Sequence, residues 1–372
     1  LAAAVALALV GAFAALTAEK SPRAAPRVGP APATLALPPM ASPRDGHTAT
    51  MLPDGRVLVA GGTDGAETLG TTEIFDPATR RFRPGPRLRE PRRAHTATLL
   101  PGGVLLLVGG AGRHDVPLRT AELLDPRTGA FESVRAMEEN RIGHAAVLLR
   151  DGRVLVVGGG TTASMPTETT ELFDPRTREF EPGPSMAERR FAPIAAALRD
   201  GRVLVGAGYG VGRTGKLGIR RTTELLDAGL SGFRRGPDMN EDRFEAEATP
   251  LADGRLLVTG GYALGNRVVP SAELFDPVKG LFLPLPAMSR GRAYHAPVLL
   301  PDGRVAIGGG SDPRETEVEL FDPRTLAFTT SGALREQRIG GQAVALSAHE
   351  VLFLGGTGQR GISATAELLL VR

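Results

Sequence analysis

An arginine recurs at regular intervals along the chain and is the first candidate for chemistry. It stands three residues before a histidine or its replacement in seven places: Arg44, Arg92, Arg141, Arg190, Arg243, Arg292 and Arg338. Such an arginine either binds an anion through a bidentate contact or pairs with a nearby carboxylate and holds the fold together. An asymmetric ligand rarely uses seven equivalent positions, so the repetition favours the structural role. Arg243 and Arg292 are kept as candidates for ligand binding at the rim.

Residues that depart from this regularity give a second set of candidates. Positions 209–221 form a long basic, glycine-rich segment that begins with a tyrosine, and Tyr262 occupies the same place in the next repeat. That next repeat also carries Glu245 and Glu247, which with Arg243 are the only candidates for acid–base catalysis. The segment is either a solvated loop or part of a binding site. The predicted site consists of Tyr209, Arg213, Lys216, Arg220, Arg243, Glu245, Tyr262, Arg292 and Tyr294.

The chain repeats one pattern seven times. The first copy reads His47-Thr-Ala-Thr-Met-Leu-Pro-Asp-Gly-Arg-Val-Leu-Val-Ala-Gly-Gly62 and continues, after a variable loop, with Thr72-Glu-Ile-Phe-Asp-Pro77. The last glycine of the pattern recurs after 48, 49, 49, 53, 49 and 46 residues. Apolar residues alternate or run for a few positions between Gly, Pro and Asp, which is typical of strands. Four-stranded units at this period indicate an all-β, seven-bladed β-propeller.

Each copy is expected to hold four antiparallel strands, a to d. In the first copy they are His47–Leu52, Arg56–Ala60, Thr71–Phe75 and a short strand around Arg81–Arg83. Strand a is rich in Thr and Ala, which suits an innermost strand beside a central channel. Because neighbouring strands run in opposite directions, the d–a loops with their arginines and the variable b–c loops must share one rim.

The seventh copy stops after its strand c, and the missing strand is predicted at the other end of the chain. Thr34–Met40 matches the strand d endings Phe180–Met186 and Phe282–Met288. An N-terminal strand that completes the last blade leaves no open edge between the first and last blades. We therefore expect residues 34–372 to form one unit.

Two further regular features are interpreted as structural. The glutamate of strand c, such as Glu73, is present in all seven copies and is expected to accept hydrogen bonds from loop backbone. The glycine pairs end a strand with no helix after them, which predicts close backbone approach rather than a phosphate cradle.

Composition limits the remaining function classes. The chain has 372 residues, 48 Gly, 30 Pro and no Cys, which excludes disulfides, thiolate metal sites and cysteine nucleophiles. Its 44 basic and 41 acidic residues give a net charge of +3. This balance argues against a nucleic-acid binder, which should carry a one-sided basic cluster.

The N-terminal segment predicts export. Residues 1–18 contain an apolar run of signal-peptide length and are expected to be a signal peptide or membrane anchor. Residues 19–33 are rich in Pro and Ala and predict a linker. The propeller would then be periplasmic, secreted or anchored on the outer side of a membrane.

The repeat resembles a known family. The segment Pro53-Asp-Gly-Arg-Val-Leu-Val-Ala-Gly-Gly62, preceded by Arg44 and His47, is similar to the kelch repeat of galactose-oxidase-like propellers. The resemblance covers the chain after residue 33 and implies the fold. It implies little about function, because function resides in sites that differ between proteins of one fold.

One copy resembles a stretch that supplies copper ligands in the copper radical oxidases. Tyr294 and His295 match the tyrosine and histidine of that stretch. The family also uses a cysteine crosslinked to a second tyrosine, and this chain has no Cys. His295 has counterparts at His47, His95 and His144, which favours an architectural role. We therefore expect no copper site and no cofactor.

Two functions from different classes remain. The first is a non-catalytic binding or scaffold propeller, expected to be a monomer, that recognises a carbohydrate or protein ligand at the loop rim. The second is a carbohydrate-active enzyme, galactose-oxidase-like or mutarotase-like, with its site at the channel mouth. An enzyme requires an acid, a base and an electrophile that converge on one point.

Overall fold

Seven four-stranded antiparallel sheets form a closed ring in the computed structural model, which describes residues 34–162, 165–213, 215–312 and 316–371. Within each sheet the strands follow the order a, b, c, d. Strand a of every blade contacts strand a of the next blade, and the seventh contacts the first. The ring therefore closes around a central channel lined by the a strands. The predicted seven-bladed propeller is confirmed.

The blade strands are short and occur at equivalent places in each repeat. Strand a spans Thr48–Met51, Thr96–Leu99, Ala145–Leu148, Ile194–Ala197, Glu247–Pro250, Ala296–Leu299 and Gln342–Ala345. Strand b spans Val57–Ala60, Leu105–Val108, Val154–Val157, Val203–Gly206, Leu256–Thr259, Val305–Gly308 and Glu350–Leu354. Strand c spans Thr72–Asp76, Ala121–Asp125, Thr170–Asp174, Thr223–Leu226, Ala272–Asp276, Glu317–Asp322 and Ala366–Leu370. Strand d spans Arg81–Pro84, Ala130–Ser133, Glu179–Pro182, Phe233–Arg235, Leu281–Pro284, Ala327–Ala333 and, for blade seven, Thr34–Leu37.

The N-terminal strand closes the ring as predicted. It pairs antiparallel with strand c of blade seven, in a register that runs from Thr34 opposite Leu369 to Leu37 opposite Ala366. The Thr34 hydroxyl donates a hydrogen bond of 2.9 Å to the Glu367 carboxylate. The predicted signal segment 1–18 and linker 19–33 lie outside the described residues.

The hydrophobic core lies within and between the blades. Strand b is fully buried in blade one and in the equivalent strands of the next blades, because a blade on each side covers it. Leu58 of blade one packs in one cluster with Leu105 and Leu107 of blade two. Burial of each such side chain contributes about 1.5–3 kcal/mol, so the interfaces between blades supply much of the stability.

The b–c loops contain small extra elements that the repeat pattern did not predict. They are the hairpins Gly160–Thr162 with Met165–Pro166, Tyr209–Val211 with Leu217–Ile219, Tyr262–Ala263 with Arg267–Val268 and Thr357–Gly358 with Gly361–Ile362, and the 3-10 turns Arg113–Asp115 and Leu264–Asn266. In the part of the chain that the structure describes, no helix has the length and apolar character needed to span a membrane.

The glycine pair at the end of strand b allows close backbone approach. Gly61 has φ of +62°, and a Cβ added there would lie 2.3 Å from the Arg92 carbonyl oxygen of the next blade. At Gly61 the conformation disfavours a side chain and the space excludes it. The interpretation of the glycine pairs as structural is therefore supported.

Candidate functional site

The d–a and b–c loops lie together on one rim, as the strand directions predict. Isolated β-bridges join them in most blades, for example Arg93 to Ala111, Phe191 to Tyr209 and Phe244 to Tyr262. A residue that follows the repeated arginine is thereby fixed next to the first residues of the b–c loop. This bridge brings side chains of both loops to the mouth of the channel.

The repeated arginines are fully buried and act as structural ties. The Arg141 guanidinium donates to the Glu171 carboxylate of strand c at 3.2 Å and to the carbonyl oxygens of Gly158 and Thr169, both at 3.0 Å. Glu171 also accepts a hydrogen bond of 2.7 Å from the backbone N–H of Glu138 in the preceding d–a loop. The pair thus joins a loop to two strands, with its polar groups satisfied inside the protein.

This arrangement corrects the prediction for two site residues. Arg243 and Arg292 have no exposed side-chain surface, and each pairs at 3.0 Å with the strand c glutamate of its own blade, Glu273 or Glu319. A guanidinium that is buried and held in this way is not presented to a ligand at the rim. The two arginines therefore position the loops around the channel mouth and do not form its surface.

The histidines of the repeat lie between blades. The ring Nε2 of His95 is 3.0 Å from the Thr48 hydroxyl of the preceding blade, and His295 Nε2 is 2.7 Å from the Thr259 hydroxyl. Burial, together with the adjacent arginine Arg292, lowers the pKa of His295 to about 3. These rings are neutral at physiological pH and serve as interblade contacts.

One backbone position at the channel mouth distinguishes two blades from the others. The residue before the histidine position has a left-handed conformation in every blade, with φ between +49° and +65°. Five blades place a small residue there, namely Gly46, Ala94, Gly143, Ala192 and Gly340. Blades five and six place Glu245 and Tyr294 there, at φ of +53° in both cases. Residues other than glycine rarely adopt this conformation, and strain of this kind is often found at functional sites.

Glu245 and Tyr294 interact directly. The Tyr294 hydroxyl forms a hydrogen bond with the Glu245 carboxyl group, and burial raises the pKa of Glu245 to about 7. Burial and the nearby charge of Glu245 raise the pKa of Glu247 to about 8. Both glutamates are half-buried in the channel wall. Near neutral pH each carboxyl group can therefore either donate or accept a proton.

Aromatic side chains surround the glutamates. All three tyrosines of the chain belong to this region. The rings of Tyr262 and Tyr294 meet edge to face with centroids 6.1 Å apart, and the Tyr209 ring meets Phe244 at 6.2 Å. We call Tyr209, Phe244, Glu245, Glu247, Tyr262 and Tyr294 the mouth cluster.

Phe244 and its neighbour Phe191 are the residues that sequence reasoning missed. The Phe191 and Phe244 rings lie 6.4 Å apart. Each directly follows the repeated arginine, where other blades carry unrelated residues such as Asp45 and Ile142. A comparison of the seven copies at this one position would have indicated both aromatic residues.

The basic residues of the predicted site occupy a different part of the rim. Arg213 and Lys216 are exposed towards the tip of the hairpin in blade four, whereas Tyr209 lies at its base. Arg220 folds back and donates a hydrogen bond of 2.7 Å to the Gly210 carbonyl oxygen of the same hairpin. The structure thus brings the predicted tyrosines and glutamates together and separates the exposed basic side chains from them.

Comparison with known proteins agrees with this architecture. The family model described as Kelch motif matches residues 46–89 and 141–187. The solved structure of a "Novel fungal alcohol oxidase with catalytic diversity among the AA5 family, in complex with copper" is similar with a TM-score of 0.70 and 16% identity, covering 93% of this chain and 77% of that chain. The structure of YjhT is similar with a TM-score of 0.55 and 14% identity, covering 65% of this chain and 84% of that chain. No curated protein sequence matches.

These results define the class of protein. Two stretches match the Kelch motif and seven four-stranded blades close into one ring. The chain is a seven-bladed β-propeller that matches the Kelch motif in these two stretches, and its fold is similar to that of the AA5-family alcohol oxidase. At identities this low the structural similarity establishes the fold alone.

The fungal oxidase is in complex with copper, but the two residues of this chain that resemble copper ligands, Tyr294 and His295, are not arranged to hold that metal. His295 is directed to the Thr259 hydroxyl in the interblade core, and the Tyr294 hydroxyl is engaged by Glu245. Within the described ranges, no group of three or more His, Cys, Asp and Glu side chains is arranged to hold a metal ion. A copper site needs several soft or nitrogen donors that converge on one point, and this arrangement separates them.

Proposed function

We propose that the protein is an exported carbohydrate-binding propeller whose site is the mouth cluster over blades four to six. The observation that carries the proposal is the occupation of a left-handed backbone position by Glu245 and Tyr294, where five blades have Gly or Ala. Each of these residues costs about 1–2 kcal/mol in that conformation. Alanine pays a similar cost in blades two and four, but only blades five and six place large polar side chains at this position and join them by a hydrogen bond, which indicates a use beyond packing.

The chemistry of the mouth cluster suits a sugar better than a peptide. A pyranose ring has apolar C–H faces that stack on flat aromatic rings, and Tyr209, Phe244 and Tyr262 supply such rings. Its hydroxyl groups both donate and accept hydrogen bonds. Glu245 and Glu247, with pKa values raised to about 7 and about 8, can accept from a sugar hydroxyl when ionised and donate when protonated. Binding sites of this kind combine an apolar surface with a few polar groups that fix orientation.

A glycan array followed by titration calorimetry tests the proposal. The informative variants are Glu245→Gly and Tyr294→Gly, because glycine adopts the local backbone conformation without strain and removes only the side chain. We expect each variant to weaken binding of the best array ligand about tenfold or more. Ala94→Gly, at the equivalent position of blade two, is the matched control and should bind like the wild type. Unchanged affinity in both blade five and blade six variants would refute this site.

A sugar-active enzyme is the second candidate, and the two glutamates favour it. A general acid or base works best with a pKa near the operating pH, and burial raises the pKa of both Glu245 and Glu247 into that range. An acid and a base on one side of a bound sugar could move protons between its oxygen atoms. NMR of the bound sugar would detect turnover. Activity that disappears in Glu245→Gln and Glu247→Gln while binding persists would assign catalysis rather than simple recognition.

A further inference from the structure

Four consecutive blades each expose one large apolar side chain on the same rim. They are Val116 (55% exposed), Met165 (57%), Leu217 (51%) and Leu264 (65%), on the b–c loops of blades two to five. We call these four residues the loop crown. In the described parts of the b–c loops of blades one, six and seven, no large apolar side chain is exposed to this degree. The apolar exposure is therefore concentrated on one arc of one rim.

The charges beside the loop crown are not balanced. The two acidic residues in the described parts of these four loops are both paired with arginines, Asp115 with Arg93 and Glu168 with Arg189. Several exposed basic residues of the same loops have no carboxylate partner among the described residues, namely Arg113, Arg119, Arg213, Lys216 and Arg221. The b–c loops of blades two to five thus combine the separate apolar side chains of the loop crown with basic side chains that have no carboxylate partner in the described part of the chain.

The opposite rim, formed by the a–b and c–d turns, has mostly paired charges and few exposed apolar side chains. Five of its seven a–b turns carry an Asp and an Arg two residues apart that neutralise each other, as Asp151 and Arg153 do at 2.8 Å and Asp253 and Arg255 at 2.6 Å. Val278, on a c–d turn, is the one large apolar side chain exposed in the described turns of that rim. Exposed apolar side chains and unpaired basic side chains therefore occur together on the b–c loops, and the described residues of the opposite rim lack this combination.

We propose that the loop crown docks on an anionic lipid surface. Single apolar side chains on separate hairpins can enter the boundary between headgroups and acyl chains, while adjacent Lys and Arg side chains contact lipid phosphates. The unpaired basic side chains of these b–c loops match the negative surface of such a bilayer. A protein partner would instead call for a continuous apolar patch with a polar rim. Docking in this way goes beyond sugar binding and would turn the channel mouth towards molecules on that surface.

Vesicle co-sedimentation of the full chain tests the docking. The probes are phosphatidylcholine vesicles with and without about one-third phosphatidylglycerol. We expect binding to the anionic vesicles only, and weaker binding as salt is raised. Leu217→Ser with Leu264→Ser should lower the vesicle partition coefficient about tenfold or more. Arg213→Gln with Lys216→Gln should lower it about thirtyfold at low salt and less at high salt.

Val278→Ser is the matched control, because it removes an apolar side chain from the opposite rim that is more exposed, at 94%, than either leucine. It should leave vesicle binding unchanged. All these side chains are exposed, so circular dichroism and thermal unfolding should match the wild type. Equal binding by the leucine variant and the wild type would overturn the proposal, since another part of the chain would then carry the membrane contact. Absence of vesicle binding, with self-association that the leucine variant abolishes, would overturn it in favour of a second copy of the chain.

Discussion

Replacement of Glu245 by glutamine tests whether the channel mouth holds an unfavourable charge. Burial raises the pKa of this glutamate from its ordinary 4.5 to about 7. Between pH 4.5 and 7 this carboxyl group ionises in the unfolded chain but stays protonated in the folded protein. Rising pH therefore favours the unfolded state and lowers the free energy of unfolding. The destabilisation is absent well below pH 4.5, grows as pH rises, and is complete above pH 7. A shift of two to three pKa units corresponds to about 3 kcal/mol of unfolding free energy.

The glutamine variant removes the charge and retains a side-chain carbonyl that can accept the hydrogen bond from Tyr294. We therefore expect Glu245→Gln to raise the free energy of unfolding by about 1 kcal/mol at pH 5 and by about 3 kcal/mol at pH 8. Urea unfolding at both pH values measures the difference. Loss of the charge also lowers the raised pKa of Glu247, so the second carboxyl group adds to this gain at pH 8.

Glu138→Gln is the control, because that side chain is exposed in a d–a loop of another blade. It should change stability by less than about 0.5 kcal/mol at either pH. A gain for Glu245→Gln that is equal at pH 5 and pH 8 would refute the reasoning, since the effect would then come from packing. A loss of stability at pH 8 would refute it more strongly, because the ionised carboxylate would then be stabilised by its surroundings.

Three further predictions concern the ring. Arg141→Ala should lower the unfolding free energy by about 3–5 kcal/mol in urea, because the Glu171 carboxylate is left buried and unpaired. Gly143→Glu, which copies blade five into blade three, should destabilise the protein by more than about 2 kcal/mol in the same assay, because φ is +62° and an added Cβ would lie 2.6 Å from the Phe191 ring. Deletion of residues 34–37 should lower Tm and promote aggregation, measured by calorimetry and light scattering, because strand c of blade seven becomes an open edge.

The architecture could be predicted because it follows from spacing. A period near 50 residues and the match of Thr34–Met40 to other strand d endings specify seven blades and their closure without any knowledge of side-chain contacts. The structural role of the strand c glutamates was likewise predictable, because a polar residue that recurs in every copy is expected to make the same contact in every blade. Repetition therefore identifies the residues that hold each blade together.

The candidate site was harder to predict because it depends on departures from the repeat. Glu245 and Tyr294 were singled out by residue type, but the sign of φ at their position is visible only in the structure. The sequence could not decide whether Arg243 is buried, since one arginine can serve a ligand or a carboxylate equally well. Phe244 was overlooked because a single aromatic residue at a strand end more often belongs to the core.

The pairing of Thr34–Leu37 with Ala366–Leu370 has a consequence for biosynthesis. The ribosome makes these two partners almost a whole chain length apart, and at about 5–20 residues per second roughly 20 to 70 seconds separate them. During that interval six blades can form, while the first-made strand waits for its neighbour. Completion of the circle therefore cannot precede synthesis of Ala366–Leu370, and a translocation machine or chaperone that holds the early segment would delay it.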